Sequence, residues 1–165
     1  MERFPPATTL QPVPRAPEGG VPRHEHQALW FTLARRKLAS VVLVPADEGR
    51  PVADVAHALA EVGRRLGDSP VTSIVADVID YDFVARTAAL LASTRRSDDH
   101  RPGSSPLEVI VAVHSVLTEP LGLALVQAAG GVVLCVELGR TRLEAARQTI
   151  ELVGRERIVG SVVVP

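Results

Sequence analysis

The side chains able to ligate a metal, move a proton or attack an electrophile are few and scattered in this chain. His24 and His26 stand two apart, so on a helix they point to different sides, and no further ligand follows at zinc-site spacing. They read as a solvated helix start. Ser115 beside His114, with Asp77 upstream, offers the residue types of a hydrolytic triad, but no G-x-S-x-G elbow carries the serine and adjacent residues do not meet in nucleophile–base geometry. Cys135, the only cysteine, sits inside an apolar run, which excludes an intrachain disulfide and predicts a buried, inert thiol. Asp47-Glu48-Gly49-Arg50-Pro51 puts acid, glycine and arginine ahead of a proline suited to a first helical position, where free N–H groups attract anions.

The elements that would position these residues follow from periodicity. Ser40-Val41-Val42-Leu43-Val44 is a continuous apolar, β-branched run ended by Pro45, the pattern of a strand buried on both faces. Val52, Val55, Ala56, Leu59, Val62 and Leu66 then repeat at helical spacing, predicting a crossover helix over residues 51–66. Further strands are predicted over 71–76, 107–113, 132–136 and 158–164, and helices over 25–37, 83–93, 121–129 and 140–153, with a polar loop over 97–106. This alternation predicts a three-layer α/β/α domain with a mainly parallel central sheet. Ligands in such sheets bind beyond the C-terminal strand ends, which singles out residues 45–51, Asp77, 114–119 and 137–141.

Composition sets the outer bounds. The 165 residues are enough for one domain, residues 24–165, preceded by a Pro-rich arm over residues 1–23 that is predicted to be disordered. Hydrophobic residues make up 46% and aromatics 3%, so the core is aliphatic. With 18 basic and 19 acidic residues intermixed, no electrostatic footprint for nucleic acid or anionic lipid is present. No stretch reaches the length of a membrane span and the N-terminus lacks a signal-peptide core, which predicts a soluble cytoplasmic protein. Trp30 and Phe31 are neighbours on a helix that already offers Leu29 and Leu33 to a core, so either both are covered, with the N-terminal arm lying over the helix, or one of them faces outward to a partner.

The order of these segments resembles the ParA/MinD-type deviant P-loop ATPases, and especially the cytoplasmic tyrosine-kinase domains of bacterial exopolysaccharide and capsule systems. The likeness runs from about Glu25 onward and is strongest over EVIVAVHSVLTEPLGLALVQAAGGVVLCV, residues 108–136, with Glu137-Leu138-Gly139-Arg140-Thr141-Arg142 following. Ile158-Val159-Gly160-Ser161-Val162-Val163-Val164 is similar to the family's closing strand. The resemblance implies a P-loop NTPase-like fold. It sets the phosphate loop on residues 47–52, where Glu48 and Gly49 are in keeping with the family, Arg50 replaces the lysine, and Pro51 and Val52 replace the hydroxyl residues that hold Mg²⁺. Val75 and Val113 fall where metal-site carboxylates are expected, leaving Asp77 as the remaining acid.

Those departures predict a non-catalytic pseudo-ATPase or pseudokinase domain, regulatory or scaffolding, in bacterial polysaccharide biosynthesis and export, with no cofactor and no metal. Its residual nucleotide- or anion-binding residues would be Glu48, Gly49, Arg50 and Asp77, and its partner surface Trp30 and Phe31. The resemblance implies as partner a membrane-bound polysaccharide co-polymerase or an active homologous subunit, with homo-oligomers also within the family's habits. Such a partner would hold the domain peripherally at the inner membrane. The alternative reading is a weakly active ATP-binding protein that uses Arg50 and Asp77 with ATP and Mg²⁺.

Overall fold

The computed structural model describes residues 23–49, 52–66, 70–94 and 107–165. Within them lie α1 (His24–Arg35), β1 (Ser40–Pro45), α2 (Ala53–Leu66), β2 (Thr72–Val75), α3 (Tyr81–Thr94), β3 (Val109–Ala112), α4 (Gly122–Ala128), β4 (Gly131–Glu137), α5 (Leu143–Val153) and β5 (Ile158–Val164). Every predicted element is present, with ends shifted by a few residues. The predicted loop over 97–106 and, apart from Arg23, the predicted arm lie outside the described residues.

The five strands form one sheet in the order β2-β3-β1-β4-β5, and every pairing is parallel. β1 is central because nothing in it tolerates water: all six of its residues are buried, and its side chains alternate between the two cores. Val41 and Leu43 pack with α1 and α2 on one face, while Val42 and Val44 pack with α3 and α4 on the other. The fold is therefore a three-layer α/β/α sandwich. Thr149 of α5 donates its hydroxyl to the carbonyl of Ala46 at 3.1 Å, which ties α5 to the exit of β1 on the second face.

Local sequence explains several element ends. Asp80 caps α3 through a 2.7 Å bond from the Phe83 amide to its carboxylate, satisfying an otherwise orphaned first-turn donor. α5 begins at Leu143 rather than at residue 140 because residues 137–141 are spent in a turn. Gly139 takes φ +73, the Thr141 amide donates to the Glu137 carbonyl at 3.0 Å, and the Glu137 amide donates to Thr141 Oγ1 at 2.8 Å.

The chain crosses from one face of the sheet to the other at its centre. β1 is followed by α2 on the first face, whereas β3 and β4, which flank β1, are followed by α4 and α5 on the second. Loops leaving adjacent strands in opposite directions open a crevice at the carboxyl end of β1.

Candidate functional site

The crevice is an open cleft of about 1010 Å³. Its walls are the segment after β1 from Pro45 to Gly49, the start of α2, the 137–142 turn after β4, the end of β5 and the first turn of α1. Val52, Val55, Ala58 and Val163 supply apolar lining, Arg23, Glu25, Glu48 and Asp54 bring charges to it, and His26 adds a polar ring. The size suits a small organic ligand.

Asp47 dominates the cleft's chemistry. Its side chain is only 10% exposed and receives four N–H groups. Oδ1 accepts from the Glu48 amide at 2.6 Å and from Arg142 Nη2 at 2.7 Å; Oδ2 accepts from the Arg142 amide at 2.8 Å and from Arg142 Nε at 3.0 Å. A forked guanidinium and two backbone donors thus complete both oxygens of one carboxylate. The side-chain bonds from Arg142, followed by its backbone bond, hold the Asp47 carboxyl well below the usual carboxylate range, and Asp47 in turn raises the guanidinium's already high pKa. Glu48 lies 3.6 Å from the same guanidinium.

Other polar groups of the cleft are engaged as well. Arg140 bonds Glu137 at 2.8 Å across the turn. His26 Nδ1 accepts the Arg23 amide at 3.1 Å, and burial, the largest influence, lowers its pKa, so a neutral imidazole stands at the rim. Cys135 lines the floor while remaining 4% exposed, and burial pushes its thiol up to about 12, as the apolar run around it predicts. Among the described residues no group of three or more histidine, cysteine or carboxylate residues is arranged to hold a metal.

The residues singled out from the sequence do not all meet. Glu48 and Gly49 line the cleft, both exposed, and the Gly49 carbonyl accepts the Ser115 amide at 3.2 Å. Arg50 and Pro51 lie outside the described residues. Asp77 follows β2 and is exposed on the far side of β3, with β1 and β2 separated by about 10 Å, two strand spacings. It does not line the cleft. Its backbone carbonyl, not its carboxylate, accepts His114 Nε2 at 2.9 Å, and the buried Ser115 hydroxyl accepts the Leu117 amide at 3.3 Å. No nucleophile–base pair forms there.

The two aromatic neighbours separate as well. Trp30 is 3% exposed, its indole filling the space that Gly63 leaves by lacking a Cβ, whereas Phe31 is 54% exposed. The expectation that one of the pair faces outward therefore falls on Phe31, and Trp30 is corrected from the partner surface to the core.

Arg142 is the residue that sequence reasoning missed. It stands one position beyond the 137–141 segment picked out by the strand-end rule, and its contact with Asp47 spans 95 residues of chain. An acidic residue directly after a buried strand was the available sign that a distant cation had to meet it. No family model, curated protein or solved structure matches this chain.

Proposed function

We propose that this chain is a non-catalytic, P-loop-like domain that acts by protein contact, as a regulatory or scaffolding component of bacterial polysaccharide biosynthesis and export. The observation that carries the reading is the Asp47 carboxylate, seated in the segment after β1 where a phosphate-binding loop needs open backbone N–H groups. A phosphate approaching there meets a fixed negative charge whose neutralising arginine is already engaged. The valines at the ends of β2 and β3 support the same reading. Val75 closes β2 and Val113, fully buried, follows β3, and neither side chain can ligate Mg²⁺. The pathway, the cytoplasmic setting and the polysaccharide co-polymerase or active homologue as partner rest on the resemblance of residues 108–142 and 158–164. Phe31 is the contact residue assigned to that partner.

A second reading, a weakly active ATP-binding protein using Arg50, draws support from the ligand-sized cleft beyond β1, while Asp77, the acid first assigned to it, stands outside that cleft. Thermal denaturation and phosphate release, measured with and without ATP and Mg²⁺, separate the two. The scaffold reading expects no rise in Tm and no turnover. An ATP-dependent rise in Tm that Arg50→Ala abolishes would overturn it and establish the second.

A further inference from the structure

We propose that Asp47 is a tethered ligand: its carboxylate fills an oxyanion site that the chain itself builds, and keeps free carboxylates and phosphates out of it. This deepens the reading above, in which the cleft is not a nucleotide-cleaving site, by naming what occupies its centre.

The donor set has the form of an anion site rather than of an ordinary surface ion pair. Each oxygen of Asp47 receives two N–H groups, and the four come from Glu48 and Arg142, residues on separate segments that converge on one carboxylate. Two are backbone amides fixed in direction, and the Arg142 amide stands at the start of α5, where the helix dipole adds a partial positive charge. The guanidinium supplies a planar fork that matches a carboxylate or a phosphate equally well. Here a carboxylate is seen seated on these donors, and it belongs to the chain.

The framework holding the donors does not depend on Asp47. The Thr149 hydroxyl fastens α5 to the Ala46 carbonyl, the Ala46 amide bonds the Cys135 carbonyl at 2.8 Å, and the 137–141 turn is closed by its own two bonds. Shortening the Asp47 side chain therefore vacates the site without removing its walls. Access is open, because the Arg142 side chain is 65% exposed and both partners line the cleft. Glu48 lies 3.6 Å from the Arg142 guanidinium, and with Glu25, Asp54 and Glu137 lining the cleft it limits the charge that an incoming anion can carry.

The test is thermal denaturation of the full chain carrying Asp47→Ala in formate, in inorganic phosphate and in chloride of matched ionic strength. The expected result is a Tm below that of the unmodified chain in chloride, restored saturably by formate or phosphate, with no such rescue in the unmodified chain or in Asp47→Ala/Arg142→Ala. Equal melting of Asp47→Ala in all three salts, or equal rescue of the double variant, overturns the proposal. Should alanine prevent folding in chloride, Asp47→Ser serves as the second variant, and failure of both to fold even in excess formate also overturns it, since the site would then have no framework of its own. ATP turnover by the unmodified chain would sink the scaffold reading and leave the formate comparison intact, so the two failures are distinguishable.

Discussion

At the scale of single residues, the pairing of Asp47 with Arg142 sets an acid limit on the fold. The folded-state pKa of Asp47 lies below its unfolded value of about 3.9, chiefly through the Arg142 side-chain bonds. A depressed carboxylate contributes stability that is fully present above the unfolded pKa and is lost as pH falls from about 4 towards the folded value. Asp47→Asn is expected to be less stable than the unmodified chain at neutral pH and to lose less stability between about pH 5 and pH 2. Urea melts across that interval check it, and parallel slopes for the two proteins would refute it. Because the Arg142 side chain is 65% exposed, salt is expected to shrink the neutral-pH difference. The acid itself was legible in the sequence as a charge directly after a buried strand. Its partner was not, because hydrophobic periodicity carries no information about which polar side chains meet across 95 residues.

At the scale of elements, the contact between α1 and α2 depends on an absent side chain. Gly63 lies on the buried face of α2, and a Cβ there would overlap Trp30 Cη2 and stand 2.6 Å from Val71 Cγ2. Gly63→Ala would gain helix propensity of about 1 kcal/mol on an exposed face. Here overpacking against a rigid indole is expected to prevail and destabilise by about 1–3 kcal/mol. Paired urea melts of Gly63→Ala alone and of Gly63→Ala with Trp30→Leu test the cause, since the second substitution should recover part of the loss. Element types were readable because β1, β3 and β4 are short apolar runs and α2 carries a continuous apolar face. Boundaries were less so: the tail predicted for the 140–153 helix is helical, but its first turn is spent on the Gly139 turn, closed by local bonds between Glu137 and Thr141 that apolar periodicity does not register.

For the whole molecule, the alternation of strands and helices predicted the three layers, yet it could not give the strand order β2-β3-β1-β4-β5. The order decides which predicted residues can act together. It brings the ends of β1 and β4 side by side, and so Asp47 to Arg142, while it sets Asp77 beyond β3. The two aromatic neighbours are separated too, with Phe31 outside and Trp30 inside. That inward turn of the chain's single tryptophan has a spectroscopic consequence. Its emission comes from one place, the seam where α1 meets Gly63 and Val71, so the folded protein should fluoresce at short wavelength and shift to the red when α1 leaves the sheet. If the domain unfolds in one cooperative step, that shift will coincide with the loss of far-ultraviolet ellipticity. If α1 undocks first, the colour of one indole will change while the remaining helices still circularly dichroise as before.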